Sequence, residues 1–151
     1  MRVVVDTGPS WALLSKHDKW RARGSLEYAF LLWEKASFLL PRIALTETMV
    51  HATREIRKAE KSRRKQLCEA SLNRIRELGW AVVEHTDGDF AAADQWWQQY
   101  SDWPIDYPDA MIAATARRLG ADRLWTFDVS FGEFIQKALP NVALVDEARP
   151  R

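Results

Sequence analysis

Acidic side chains stand at the ends of several apolar runs in this sequence, where catalytic or metal-binding groups are often placed. Asp6 ends the run VVVD, and Asp128 ends LWTFD. Glu47 lies in PRIALTETMV, shortly after a second apolar run. Asp106 and Asp109 open the helical pattern DYPDAMIAATA. The chemistry of the protein depends on whether these five carboxylates meet in the folded chain.

Each acid taken alone has an ordinary structural explanation. Asp106 and Asp109 are spaced like the N-cap and third helical position of a capping box. Glu47 fits an exposed helix position. Asp6 and Asp128 fit turns in which the side chain bonds the nearby backbone. Four such coincidences at one sheet edge are much rarer than one, so the pattern favours convergence.

The elements that must position these acids alternate between strands and helices. Apolar runs predict strands at 3–6, 37–40, 80–84, 123–127 and 142–145. Helical patterns cover 25–36, 42–58, the polar stretch to 78, 88–100, 106–119 and 130–138. A further helix has Pro9 at its first position, while Gly79 and Gly120 mark two helix ends.

This alternation predicts an α/β fold, a three-layer α/β/α sandwich with a mostly parallel sheet of four to five strands. We see no repeat or linker, and we expect a single domain over residues 1–151.

In such sheets, ligands bind beyond the carboxyl ends of the strands, where the strand order reverses. If strand one is central and strand four lies beside it, the acids converge there. Two unscreened carboxylates about 4 Å apart repel by roughly 4 kcal/mol at an effective dielectric near 20. The group must therefore take up protons or bind a cation. Oxygen ligands without nearby Cys or His favour Mg²⁺ or Mn²⁺.

A magnesium or manganese site of this kind suits phosphate chemistry, because the ion activates water and stabilises the leaving oxygen of a phosphodiester. We expect Asp6 and Asp109 to be direct ligands. Glu47 and Asp128 would complete the site, directly or through water. The other polar candidates are a fifth acid and two hydroxyls that would hold the ligand carboxylates: Asp106, Thr7 and Thr126. The three histidines, at 17, 51 and 85, show no metal-ligand spacing.

Composition sets broad limits on the class of protein. Apolar residues make up 47% of the 151 residues and charged residues 28%, which is typical of a globular protein. No window approaches the roughly 20 apolar residues of a membrane span, and the N-terminus does not read as a signal peptide. With Cys68 as its single cysteine, the chain has no internal disulfide, and we expect a cytoplasmic protein.

Charge and aromatic residues are unevenly distributed. Residues 51–65 hold seven Lys or Arg against two Glu, which fits a solvated helix face, a phosphate contact or a partner-binding surface. Three of the eight tryptophans, Trp96, Trp97 and Trp103, precede the Asp106 helix. They could stack on unpaired bases, with Trp103 the best candidate, although packing in the core is the more frequent role of such rings.

Four motifs occur in order along nearly the whole chain: VVDTG at the start, LTE after strand two, DYPDAMIAATARRLG, and TFD before a Phe-containing helix. Together they resemble the PIN-domain family, and most closely the VapC-type toxins of bacterial and archaeal toxin–antitoxin pairs. No single motif is specific, but the ordered set is.

The resemblance implies a Mg²⁺- or Mn²⁺-dependent endoribonuclease that cleaves RNA, is often a homodimer and is held inactive by a cognate antitoxin. It implies an acidic site made of Asp6, Glu47, Asp109 and Asp128. Relatives vary between Ser, Asn and Asp at the position of Asp106. The family's helical clip, where the antitoxin commonly binds, corresponds to the basic stretch near 51–70.

Other functions remain to be compared with this one. A PIN nuclease could work in RNA maturation without an antitoxin, and a catalytically inert binding module could share the fold. A phospho-receiver would need adjacent acids after strand one and a lysine in place of Asp128. A haloacid-dehalogenase-like phosphatase would need an acid at position 8, which is glycine.

Overall fold

The computed structural model describes residues 1–145, so residues 146–151 of the expected domain lie outside it. Its sheet has five parallel strands in the order β3-β2-β1-β4-β5. The strands are β1 Arg2–Val5, β2 Ser37–Pro41, β3 Ala81–Val83, β4 Arg123–Trp125 and β5 Ala143–Leu144. The predicted sheet is confirmed, with strand one at the centre and strand four beside it.

Seven helices flank the sheet in the described part of the chain. They are α1 Thr7–Leu14, α2 Arg21–Trp33, α3 Arg42–Arg57, α4 Lys61–Leu78, α5 Asp87–Gln99, α6 Tyr107–Arg118 and α7 Val129–Ala138. The predicted α/β class is confirmed. Two helix starts were placed too late, because α1 begins at Thr7 rather than Pro9 and α2 at Arg21 rather than residue 25.

No helix within residues 1–145 is long and apolar enough to cross a membrane.

The central strands are apolar because both of their faces are covered. Val3, Val4 and Val5 of β1 are fully buried, as are Leu124 and Trp125 of β4. A strand covered by helices on both faces has no solvent side, so its residues do not alternate between apolar and polar. This explains why the run of valines ends only where the strand leaves the sheet.

Buried hydroxyls fix α1 against α3. Ser10 and Thr48 are fully buried and hydrogen-bond to each other across the two helices. The Thr7 carbonyl lies 3.0 Å from Ser10 Oγ and the Ala44 carbonyl 2.7 Å from Thr48 Oγ1, so one hydroxyl donates to the other and the second donates to its own carbonyl. Because buried hydroxyls need partners, this pair specifies one register between the helices. That register places Thr7 beside Glu47.

A buried ion pair holds α6 against α5. Both Asp89 oxygens accept from Arg118 Nε at 2.9 Å, and the same guanidinium donates to the Glu84 carbonyl at 2.9 Å. Asp89 is only 2% exposed and also forms a capping box with Thr86 at the start of α5. Since α6 carries two of the acids, this contact helps to set their position.

His85 joins the end of β3 to α3 and α6. Its Nε2 accepts from the Ile43 amide at 3.2 Å, and its Nδ1 lies 3.0 Å from Thr115 Oγ1. The Thr115 hydroxyl donates to the Met111 carbonyl, so Nδ1 carries the proton and the ring is neutral. Burial lowers the pKa of His85, which agrees with a neutral structural histidine.

Gly79 ends α4 in the left-handed region, with φ at +64°, and its amide donates to the Arg76 carbonyl. A Cβ added at Gly79 would meet nothing within 4 Å. The cost of substituting Gly79 is therefore only that of holding another residue in the left-handed conformation. We predict that Gly79→Ala lowers the free energy of unfolding by about 1 kcal/mol, measured by urea denaturation.

Gly88 provides the matched control. It lies inside α5, has no positive φ, and an added Cβ would stand 3.7 Å from Thr86 Oγ1, an ordinary contact. Gly88→Ala should leave stability unchanged or raise it slightly. Equal losses in the two variants would contradict a conformational role for Gly79.

Candidate active site

A cavity of about 380 Å³ lies at the carboxyl ends of the central strands, and all five acids identified in the sequence line it. Its lining residues are Asp6, Thr7, Gly8, Trp11, Trp20, Glu47, His51, Asp106, Asp109, Phe127 and Asp128. From β1 the chain first extends the sheet on one side, through β2 and β3, and then on the other, through β4 and β5. The strand order therefore reverses at β1, and the cavity lies at that point.

Asp6 lies at the centre of this arrangement and is only 7% exposed. Its Oδ1 accepts from the Thr7 amide and its Oδ2 from the Thr126 hydroxyl, both at 2.6 Å. Its own amide donates to the Trp125 carbonyl at 3.0 Å, which continues the pairing of β1 with β4. The carboxylate is therefore held by residues that follow both strands.

Two threonine hydroxyls connect the acids. Thr7 Oγ1 donates to Glu47 Oε2 at 2.6 Å, which links α1 to α3 at the cavity wall. Thr126 Oγ1 donates to Asp6 and accepts from the Asp128 amide at 3.0 Å. Thr126 does not line the cavity but fixes two acids that do.

Three of the acids also cap helices. Asp6 is the N-cap of α1, Asp106 of α6 and Asp128 of α7. The capping box predicted for Asp106 and Asp109 is present, with both reciprocal hydrogen bonds at 3.0 Å. Helix starts carry partial positive charge, so three of them at one cavity favour negative groups there.

The electrostatics of the cavity disfavour ionised carboxylates. Burial raises the pKa of Asp6 to about 6, although the hydrogen bonds from Thr126 and Thr7 act in the opposite direction. Burial and the neighbouring charges of Asp106, Asp6 and Asp128 raise the pKa of Asp109 to about 8. Within the described chain no Lys or Arg lines the cavity to offset these charges.

The donor set fits a hard divalent cation. Every acid keeps acceptor capacity beyond its own hydrogen bonds, since a carboxylate offers about four lone-pair sites. Among residues 1–145, however, no three His, Cys, Asp or Glu side chains form a ready-made metal cluster. The acids line a shared cavity rather than a collapsed cluster, as mutual repulsion requires.

Four aromatic residues of the cavity wall were not identified as site residues from the sequence. Trp11 and His51 stack with ring centroids 5.6 Å apart, and Trp20 and Phe127 lie at the same separation. The sequence could have identified the first pair. Trp11 follows Thr7 by four residues and His51 follows Glu47 by four, so each lies on the same helix face as a predicted site residue.

The tryptophans that precede α6 do not line this cavity. Trp96 is 8% exposed and packs edge-on against Phe134. Trp103 packs against Tyr100 and Phe134 at the core, and Trp97 packs edge-on against Tyr107. Trp103, the best candidate for base stacking from the sequence, has instead the packing role that such rings more often have, because closeness in sequence to Asp106 does not place its ring beside the acids.

A second, larger cavity of about 710 Å³ lies between α1, α3 and α4, and we call it the clip groove. It is lined by Trp11, Leu14, Ser15, Lys16, His17, Ala52, Glu55, Ile56, Arg63, Leu67, Ala70, Ser71, Asn73, Arg74 and Glu77. Trp11 belongs to both cavities. Part of the basic stretch near 51–65 faces this groove. Arg64 instead donates to the Arg57 carbonyl at the end of α3 and to the Ala59 carbonyl in the turn that follows.

The sequence profile of the PIN domain matches residues 3–135, so the chain belongs to the PIN domain family. Nucleases of this family generally use divalent metal ions. Among curated proteins, none matches the chain significantly.

Solved structures with the same fold include VapC20 of Mycobacterium tuberculosis, with a TM-score of 0.66, 19% identity and coverage of 87% of this chain and 94% of that one. FitAcB of Neisseria gonorrhoeae has a TM-score of 0.65, 18% identity and coverage of 94% and 95%. VapBC2 of Rickettsia felis has a TM-score of 0.59, 19% identity and coverage of 95% and 97%. Identities this low establish similarity of fold.

The raised pKa values predict how stability depends on pH in the presence of a chelator. Folded Asp6 and Asp109 hold protons that the unfolded chain releases near pH 4, so the unfolding free energy falls as pH rises from about 4 to 8. Asp109→Asn should flatten this dependence and stabilise the protein at pH 8, by more than about 1 kcal/mol. Urea denaturation at pH 5 and pH 8 measures both effects.

The pH dependence must be compared between variants. The lowered pKa of folded His85 makes the unfolding free energy rise with pH, opposite to the effect of the two acids, and this contribution is the same in every variant. Asp102→Asn, at an exposed position outside the cavity, is the matched control and should keep the wild-type slope. If the unfolding free energy depended on pH identically in wild type and Asp109→Asn, the pKa of Asp109 would not be raised in the folded protein.

Proposed function

We propose that this protein is a Mg²⁺- or Mn²⁺-dependent endoribonuclease, the toxin of a VapBC-type toxin–antitoxin pair. One observation carries the proposal: five carboxylates from four separate segments line a single cavity that, within residues 1–145, has no Lys or Arg in its wall. Such a cavity suits a divalent ion and, through the ion, a phosphate group. Membership in the PIN domain family supports nuclease chemistry.

The structural neighbours support the toxin assignment. VapC20 is described as a sarcin–ricin loop cleaving toxin, and other neighbours were solved as VapBC complexes. We propose the same kind of role for this chain, as one domain over residues 1–151, in the cytoplasm and as a homodimer.

We assign the metal-holding role to Asp6, Asp109, Glu47 and Asp128, with Asp106 as a fifth acid. When bound, the ion supplies an activated water and charge stabilisation for the leaving oxygen. Thr126 and Thr7 orient the carboxylates of Asp6 and Glu47 through the hydrogen bonds described above. Since these donors are already in place, the acids need little rearrangement when they receive the ion and substrate.

The residues also have a role in proton transfer. Asp6 and Asp109, with their raised pKa values, would release their protons on holding a cation, because the ion binds the ionised carboxylate. A carboxylate in the cavity that does not contact the ion can orient the attacking water or accept its proton. Asp106, and Asp128 where it reaches the ion only through water, are the most exposed of the five and are best placed for that role.

The metal assignment predicts the behaviour of Asp109→Asn in RNA cleavage. Removal of this charge should reduce the rate at least about 100-fold, equivalent to about 2.7 kcal/mol of transition-state stabilisation. The change is nearly isosteric, so circular dichroism should show an unchanged fold. Rates are measured on single-stranded RNA with wild type and with Asp102→Asn as control.

The same assay tests dependence on metal. EDTA should stop cleavage by the wild type, and added Mg²⁺ or Mn²⁺ should restore it. Cleavage that survives chelation would indicate metal-free acid–base chemistry. Full activity of Asp109→Asn would overturn the assignment of the site.

The clip groove is the surface that we propose for an antitoxin. It combines apolar side chains such as Leu14, Ile56 and Leu67 with the charged groups of Arg63 and Arg74 at its walls. An amphipathic segment with acidic residues would complement such a surface. We therefore expect a gene for a small DNA-binding protein beside this one. Its absence from the genome would favour the alternative role in RNA maturation.

A paired substitution on α4 tests this groove. Leu67→Glu should weaken copurification with the product of the neighbouring gene by at least tenfold, because it buries a charge against apolar walls. Leu72→Glu, on the same helix but outside the groove and already 43% exposed, should have no effect. Equal effects of the two substitutions would place the partner elsewhere.

A further inference from the structure

The acidic cavity has an aromatic wall next to its carboxylates. Phe127 stands between Thr126 and Asp128 in sequence, and its ring packs against that of Trp20 with centroids 5.6 Å apart and planes 34° apart. Both rings line the cavity, and both are partly exposed. They form an aromatic surface within reach of whatever is bound by the acids.

This aromatic pair is held in place by its surroundings. The Phe127 ring lies between two glycines, and a Cβ added at Gly8 or Gly24 would stand 3.5 Å from it. The Trp20 amide donates to Asp18 Oδ1 at 2.8 Å in the turn before α2. A ring fixed before binding loses little entropy when a ligand stacks on it.

Two cationic side chains lie over these rings, outside the lining of the cavity. Lys19 Nζ is 5.2 Å from the centroid of Trp20, and the Arg23 guanidinium is 5.0 Å from Phe127 and 5.5 Å from Trp20. Arg23 is paired at 2.8 Å with Glu27, a buried residue that also accepts from Trp125 Nε1 at 2.5 Å. The aromatic wall therefore combines flat rings with cations, which suits a base and its neighbouring phosphate.

We propose that the Trp20–Phe127 pair is a base-stacking site that determines substrate class: it takes the base of an unpaired nucleotide next to the phosphate held at the acids. The proposal rests on the nuclease function proposed above. A base in a duplex is stacked and paired with its neighbours and cannot reach this surface. The site therefore selects single-stranded segments, loops or bulges, and Trp20 is its most important ring.

A binding experiment separates this role from a merely structural one. Labelled oligouridylate and an abasic ribose-phosphate oligomer of equal length are titrated with the full chain in Ca²⁺, and gels verify that the oligomers stay intact. The wild type should bind the base-containing chain at least about tenfold more tightly, the range expected for one stacked base.

Variants of Trp20 separate base stacking from binding of the ribose-phosphate backbone. Trp20→Ala should lower the preference for bases about tenfold while leaving affinity for the abasic oligomer unchanged. Trp20→Phe should restore most of the preference, since it keeps an aromatic face. Trp33→Ala is the matched control, because Trp33 is 78% exposed and does not line the cavity.

The outcomes are distinct. Equal loss of both oligomers in Trp20→Ala, or no preference for bases in the wild type, would overturn the stacking site. A wild type that prefers bases but cuts no RNA in Mg²⁺ or Mn²⁺ would contradict the proposed nuclease function and leave the stacking site supported.

Discussion

Repulsion among carboxylates in a cavity whose wall, over residues 1–145, has no Lys or Arg is the constraint on which the rest of this structure depends. The fold places Asp6 at the end of the central strand and brings acids from α3 and from the starts of α6 and α7 toward it. Such groups separate or take up protons unless something holds them. Here the holding groups are threonine hydroxyls and helix-cap amides, which orient the carboxylates without neutralising them.

The residues that cap three of the helices are also residues of the acidic cavity. In a parallel sheet with helical crossovers, helices run opposite to the strands, so their N-termini gather at the edge where the strands end. Acids that cap those helices therefore gather there too, as Asp6, Asp106 and Asp128 do. The choice between a cap and a site residue, which the sequence left open for Asp106, does not arise in the structure. A cap uses only part of the acceptor capacity of a carboxylate.

Much of this arrangement could be predicted from the sequence. The apolar runs and the glycine helix ends identified all five strands and most helix boundaries, because buried parallel strands and left-handed caps leave local signals. The convergence of the five acids followed from strand order. The start of α1 was misplaced because Asp6, read as a strand end, also caps the helix. The aromatic wall was missed because Trp20 lies in a turn whose position depends on packing against Phe127, and local sequence does not encode such contacts.

Trp11 belongs to the walls of both cavities, so a change in the orientation of this indole would change the shape of both. A ligand of the clip groove that shifts this indole would change the shape of the acidic cavity without entering it. Linkage of this kind is reciprocal, so a ligand of the acidic cavity that fixes the indole in one orientation would alter the affinity of the clip groove for its own ligand by the same factor. If the function proposed above holds, an antitoxin in the clip groove would act on the acids through this shared wall residue without competing for the metal.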